Sequence, residues 1–451
     1  MTTIRTGTVR GVWLPVAAWA ATRAVVLLCV LRVLVLPGPD VTTDVSVIYQ
    51  GWFDVLRSGT FPRADVTWQY PPAAALAILS PALLPFLDYA PAFFTLVLLT
   101  DAVVLALFLR AGRRPGHRPA GAWVWIAGVA LLGPTAYARY DLMVTAVAVA
   151  ALFAAVRRPR VAGALIAFGA LLKVWPALLL TGAAVRGRRA RALWWSAGAT
   201  AAGLTLFFVA AAPGALAFLT FQRDRGTEVE SLGALVFHFA RHFGWPGQVL
   251  LNYGSLEFLG PGVALAGTVA LTLSLAAAGW LFLWRVRART PGPATLCEAA
   301  FTATLLFTTT SRVISPQYML WLVGLAAVCV TVRGCRQTPS AVLVLLATGV
   351  TLLEFPVRFA DVVASDPKGI ALLVVRNGLL VAASLLACRR LWVSLRDGED
   401  GGSGPGEDGS GDSVPREGAG VVGARTPADG TAAAPPLTAA AAAVRRRASG
   451  G

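Results

Sequence analysis

The chain has 451 residues, 56% of them hydrophobic and 14% charged, with a formal net charge of +16 and a mean hydropathy of +0.67. That balance excludes a soluble globular domain and implies many membrane-spanning helices. The basic excess is spread in small arginine clusters between apolar runs, not gathered into one stripe, so it argues against a nucleic-acid surface and marks loops retained on the cytoplasmic side.

Residues 1–10 form a short basic head, expected inside, and residues 13–36 supply enough apolar positions to cross a hydrocarbon core of about 30 Å. No small-residue cleavage site follows a short apolar region, so this reads as an uncleaved span and not a signal peptide. Residues 37–90 are then a first extracytoplasmic loop that holds Asp40, Asp44, Asp54 and Asp65 and runs into Trp68-Gln69-Tyr70-Pro71-Pro72. Carboxylates in this number beside a lipid-embedded wall point to a function. A crossing at residues 71–87 would put Arg110, Arg113, Arg114 and Arg118 outside, so that run, with Pro81 and Pro85, is expected to lie in the outer interface, and residues 91–109 make the return.

Residues 122–132, 142–156 and 161–172 continue out, in and out, and Lys173-Val174-Trp175-Pro176 caps the last of them. Only residues 177–185 precede the next arginines, Arg186, Arg188, Arg189 and Arg191, which implies a short return broken at Pro176, a device tolerated where protein lines a cavity. Spans at residues 193–212, 263–283, 294–310, 319–332, 341–353 and 370–387 complete about 12 crossings with both termini inside. The expected fold is an all-α integral membrane bundle over residues 11–395. Residues 396–451, rich in Gly, Ser, Pro and Ala, are expected to be a disordered cytoplasmic tail.

The five cysteines fall in expected spans or cytoplasmic loops, so no extracytoplasmic disulfide framework is implied. His238 and His242 have helical spacing but lack the glutamate of a zinc protease motif, and read as a structural pair. No phosphate-binding loop, dinucleotide fingerprint or nucleophile elbow is present, and no metal or cofactor is expected.

On the expected outer side remain Asp40, Asp44, Tyr70, Arg139, Asp141, Lys173, Arg223, Asp224, Arg225, Glu228, Glu230, Arg312, Gln317 and Tyr318. Outer cations oppose the topological bias and so call for another role. A carboxylate facing cations at a membrane surface suits transfer from a lipid-linked phosphosugar: Lys and Arg neutralise the leaving phosphate, and an Asp takes the proton of the acceptor hydroxyl.

The Asp44 loop, Trp68-Gln69-Tyr70-Pro71-Pro72, Leu172-Lys173-Val174-Trp175-Pro176, the stretch from Gln222-Arg223-Asp224-Arg225-Gly226 to Glu230-Ser231, and Ser315-Pro316-Gln317-Tyr318 followed by Trp321 resemble glycosyltransferase family 87 in order, over residues 23–387. That family lies in the GT-C superfamily of membrane transferases that use polyprenyl-phosphate sugars, with α-mannosyltransferases among its members. The resemblance implies a GT-C-like bundle and an essential Asp in the first outer loop, which falls on Asp44, with Asp40 as the alternative. It further implies a polyprenyl-phosphate hexose donor, mannose foremost, and a glycolipid or glycan acceptor at the outer face of the plasma membrane. Thr67-Trp68-Gln69 departs from the acidic residue common before Tyr-Pro-Pro in relatives, which bears on the acceptor.

Arg312, Lys173 and Arg225 are candidates for the donor phosphate. Asp40, Tyr70, Glu230, Gln317, Tyr318, Arg139 and Asp141 are candidates for substrate binding. Simpler readings stand beside these: Asp44 solvating a loop, Lys173 snorkelling to the interface, Tyr70-Pro71-Pro72 shaping a helix entry, Arg139 pairing with Asp141, and residues 225–230 as a solvated loop. The competing class is a transporter or flippase of lipid-linked sugars, although no internal repeat relates the two halves.

Overall fold

The structure is a computed structural model; it describes residues 7–400 except 63–64, 66, 222–225 and 289–291, with the backbone alone for residues 7–11, 220–221 and 395–400. Arg223, Asp224, Arg225 and nearly all of the expected tail lie outside the described residues.

The first half of the chain begins with α1 (Gly7–Val30), which ends six residues before the apolar run does, because Arg32 takes a left-handed conformation. A π-helical turn at Asp44–Tyr49 leads into α2 (Gln50–Arg57), and α3 (Ala74–Leu79) with a 3-10 turn at Ser80–Leu83 follows the Tyr-Pro-Pro element. Next come α4 (Tyr89–Gly112), α5 (Ala120–Leu132), α6 (Asp141–Ala155) and α7 (Pro159–Leu172). The break after α7 falls at Lys173, whose backbone is extended, and the return is a 3-10 segment, Trp175–Gly182.

The second half holds α8 (Arg188–Ala211), α9 (Phe218–Phe221), α10 (Ala234–Arg241), α11 (Val263–Arg287), α12 (Pro293–Thr310) and α13 (Tyr318–Thr331). It closes with α14 (Thr338–Leu352), α15 (Phe359–Ala364) and α16 (Pro367–Asp400), so helix extends a few residues into the segment expected to be tail.

One expectation is corrected: the fold is not all-α. Strands β1 (Thr227–Glu228), β2 (Gln248–Asn252) and β3 (Ser255–Leu259) form an antiparallel sheet in the order β1-β3-β2. Tyr253 and Gly254, both at positive φ, make the two-residue turn that joins β2 to β3. This short hairpin has no long apolar run, which is why hydropathy alone passes over it.

Six helices among the described residues are long and apolar enough to cross a membrane, at Val12–Val30, Tyr89–Gly112, Arg188–Ala211, Val263–Arg287, Thr338–Val357 and Pro367–Ser394. The others expected to cross are shorter, such as α5, α6, α7 and α13 at 13–15 residues. These sit inward. In α13 every residue from Met319 to Cys329 is buried, as a helix apolar on all sides requires. It packs against α4, α5, α6, α12 and α14, and Gly128 of α5 and Gly324 of α13 meet Val323 and Thr145 with no room for a Cβ.

The basic loops converge at one end of the bundle. Arg118 N–H donates to Thr331 O (2.7 Å) and Arg333 N–H to Gly116 O (2.9 Å). Arg390 Nη1 donates to Arg336 O (2.8 Å), and Arg285 Nη2 to Ala183 O (2.8 Å). Helices α12 and α13 run between that end and the opposite one, about 27 Å for the 18 residues of α12.

Candidate functional site

At the end opposite the basic loops a cavity of about 650 Å³ opens among the Asp44 loop, the α7 break, the sheet and the turn before α13. Asp40, Asp44, Tyr70, Arg139, Lys173, Glu230, Arg312, Gln317 and Tyr318 all line it, although their sequence positions span more than half of the chain. Of the expected site residues, Asp141 lies behind the wall and Arg225 lies outside the described residues.

The loop that carries Asp44 is fixed from two sides. A Cβ on Gly38 (φ +99°) would overlap the Pro356 carbonyl, so glycine permits the close approach of the loop to the α14–α15 connection. From the other side the buried Arg139 guanidinium donates through Nη1 to Val41 O (3.1 Å) and through Nη2 to Asp44 Oδ2 (2.8 Å). The Asp44 side chain remains 34% exposed to the cavity against 9% for Arg139, and among the described residues no donor reaches its other oxygen.

The two loop aspartates thereby differ. Asp40 Oδ1 accepts from Thr42 N–H (2.9 Å) and Thr42 Oγ1 (2.6 Å), and Oδ2 faces Arg32 at 3.4 Å. Burial opposes its charge, but the Thr42 hydrogen bonds and Arg32 outweigh that and hold its pKa below the usual carboxylate value. Asp65 makes the same kind of turn with Thr67 and also accepts from Trp52 Nε1 (2.8 Å). Both carboxylates are occupied in building the loop and Asp54 does not line the cavity, which leaves Asp44 with the free oxygen there.

Arg139 does not pair with Asp141, as its spacing had suggested. Asp141 Oδ1 instead accepts from Lys173 Nζ (2.7 Å) and Trp321 Nε1 (2.7 Å). Lys173 is also boxed by the rings of Tyr70, Tyr140, Tyr318 and Trp321, with Nζ 5.2–5.9 Å from their centroids. Trp321 stacks between Tyr318 (3.9 Å) and Trp175 (5.4 Å), so the Leu172-Lys173-Val174-Trp175-Pro176 break and the Ser-Pro-Gln-Tyr turn are bound through one ring. Lys173 therefore presents a restrained, partly neutralised cation to the cavity.

Tyr70 leans on Tyr140 (5.3 Å) and Trp68 (6.2 Å), while Ala73 N–H donates to Leu171 O (3.0 Å), which docks the Tyr-Pro-Pro element on the end of α7. On the far wall Glu228 N–H donates to Arg312 O (3.1 Å). The Glu228 carboxylate accepts from Ile314 N–H (2.6 Å) and Ser315 Oγ (2.7 Å), fixing the turn that presents Gln317 and Tyr318. Arg312 lines both this cavity and a second groove along α11.

The sequence model of glycosyltransferase family 87 matches residues 68–316, more than half of the chain. The chain belongs to glycosyltransferase family 87. It is a membrane glycosyltransferase, which places transfer ahead of the transport alternative. No curated protein and no solved structure matches the chain. The family match is shorter than the expected 23–387: it contains Tyr70, Arg139, Lys173, Glu230 and Arg312 of this glycosyltransferase, ends at Pro316, and begins after Asp44. What singles out Asp44 is thus its geometry.

Sequence reading passed over Glu354 and Arg376. Glu354 lies in the π-helical turn after α14 and Arg376 in α16, and they form a fully buried fork, Arg376 Nε to Glu354 Oε2 at 2.9 Å and Nη2 to Oε1 at 2.6 Å. Their signal was available, since an ionisable residue inside an apolar span marks a site by default. The same holds for Arg23 and Asp101, joined at 2.6 Å, where Asp101 also accepts from Trp125 and Tyr137. His238 and His242 both hydrogen-bond to Ser365. Among the described residues no group of three His, Cys, Asp or Glu could hold a metal ion.

Proposed function

We propose that this glycosyltransferase moves a hexose, mannose foremost, from a polyprenyl-phosphate donor to a hydroxyl of a glycolipid or glycan. The observation that carries this reading is the half-exposed Asp44 carboxylate, clamped by Arg139 on a cavity whose other walls hold Arg312 and Lys173.

In this reading the acceptor oxygen attacks the anomeric carbon as the bond from that carbon to the phosphate oxygen breaks. Asp44 takes the acceptor proton through its free oxygen. The leaving polyprenyl phosphate gathers negative charge, which Arg312 neutralises, supported by Lys173 and Arg225. A single displacement inverts the anomeric centre, so a β-linked donor yields an α-linked product. Tyr70, Gln317 and Tyr318 line the space for the sugar, and Arg139 positions Asp44.

The position of the cavity, opposite the converging arginine loops, supports an extracytoplasmic site in the plasma membrane with cytoplasmic termini. The test is incubation of the purified protein with polyprenyl-phosphate-[¹⁴C]mannose and a membrane glycolipid extract. Label in the glycolipid supports the reading; label remaining in the donor, with other polyprenyl-phosphate hexoses equally inert, contradicts it.

A further inference from the structure

Glu230 lines the cavity, is 4% exposed, and among the described residues its Oε1 has no hydrogen-bond partner. An orphaned buried acceptor in a cavity wall needs an explanation. We propose that Glu230 stands there as a neutral carboxylic acid whose Oε1 accepts a hydrogen bond from a sugar hydroxyl of the substrate.

Arg376 reaches the Glu230 backbone from behind. Its Nε and Nη2 grip both oxygens of Glu354, Nη2 also donates to Glu230 O (2.8 Å), and Nη1 donates to Ile314 O (3.2 Å). The guanidinium thus serves the Glu230 backbone, and among the described residues no cation forms an ion pair with its carboxyl. That carboxyl instead lies against the Glu354 carboxyl. Two carboxyl groups in such contact hold one proton between them. Glu354 is the ionised member, because the bidentate fork binds it, so the proton sits on Glu230 and is donated to Glu354. Burial first, then the Glu354 and Glu228 carboxylates, push the Glu230 pKa well above the ordinary carboxylate value.

The remaining oxygen is a pure acceptor on a residue that lines a polar ligand space, and hydroxyl groups are the donors that a sugar offers. A neutral wall also suits an anionic phosphosugar, which an ionised glutamate would repel. Glu230 would accordingly select and orient a sugar without taking part in proton transfer. This role rests on the transfer reading given above, and it distinguishes Glu230 from Asp44, which must be ionised to act as base.

Glutamine reproduces the proposed state: its amide N–H₂ donates to Glu354 and its carbonyl keeps the acceptor. The experiment compares wild type, Glu230→Gln and Glu230→Leu in one detergent, reading binding of polyprenyl-phosphate-mannose and of the glycolipid acceptor by tryptophan fluorescence, without turnover. Glu230→Gln is expected to bind both within about twofold of wild type, and Glu230→Leu to lose about tenfold for one of them, a typical value for one hydrogen bond. Whichever ligand weakens identifies the donor hexose or the acceptor as the source of the hydroxyl. Tenfold weakening in a folded Glu230→Gln, or unchanged binding of both ligands by Glu230→Leu, overturns the proposal. Infrared spectroscopy checks the proton separately: wild type should show a protonated-carboxyl band that Glu230→Gln lacks, and no such difference overturns the proposal. Absence of transfer by a wild-type protein that still shows these differences would refute the transfer reading alone.

Discussion

Arg139 Nη2 stands 2.8 Å from Asp44 Oδ2 while Nη1 of the same guanidinium holds Val41 O at 3.1 Å. One buried fork therefore fixes both the carboxylate and the backbone three residues before it. A lysine has no planar fork and cannot make both contacts in this geometry. Arg139→Lys is expected to lower kcat by about a hundredfold, the scale of an ångström-sized misplacement, with a smaller change in KM. Steady-state kinetics on the folded variant check this, and equal kcat values would show that Asp44 needs no clamp.

The Lys173–Asp141 pair is almost wholly buried, with side chains 12% and 1% exposed. Removing one member strands a charge, so Asp141→Asn and Lys173→Met should each destabilise by about 3–5 kcal/mol, and the double variant by less than their sum. Thermal unfolding of the four proteins in one detergent measures the coupling. Additive losses would mean that the pair is not a unit.

Arg312 is proposed to face the phosphate as its charge develops. Arg312→Gln should therefore reduce kcat/KM by roughly 10²–10³. A variant with wild-type kcat/KM would remove Arg312 from the phosphate site.

His238 Nε2 donates to Val229 O (2.8 Å), and Nδ1 lies 2.8 Å from Ser365 Oγ, which accepts from Arg241 (2.9 Å) and can give its own proton to Nδ1 of a neutral ring. Burial pushes its pKa down from 6.5 to about 4. Since the folded value lies below the unfolded one, its contribution to stability is complete above pH 6.5 and is lost as pH falls toward 4, at ~1.4 kcal/mol per pH unit. The stability gap between wild type and His238→Gln should shrink over that interval. Denaturant titrations at pH 7 and 4.5 test it, and a constant gap would contradict the neutral, buried ring.

Much of this site was legible in the sequence because the clues were charges where charges are expensive. Asp44, Lys173 and Arg312 stood out against apolar runs and an opposing topological bias. What the sequence withheld was partnership. Arg139 is two residues from Asp141, yet each reaches across the fold to a residue brought there by packing, and short-range spacing cannot foretell that. The sheet escaped because β1 is two residues long and its partner β3 lies about 30 positions away. Glu354 and Arg376 were visible as intramembrane charges, but their relation to Glu230 depends on α16 passing behind the cavity.

The central claim is that Asp44 accepts the acceptor proton in hexose transfer from a lipid phosphate. Its most direct test is radiolabelled mannose transfer from polyprenyl-phosphate-mannose to glycolipid by wild type, Asp44→Asn and Asp40→Asn under identical conditions. Transfer should fall by about 10²–10⁴ in a folded Asp44→Asn, the range for loss of a general base, and persist within about tenfold in Asp40→Asn, whose carboxylate only shapes the loop. Full activity in Asp44→Asn, or its loss in Asp40→Asn alone, would contradict the account.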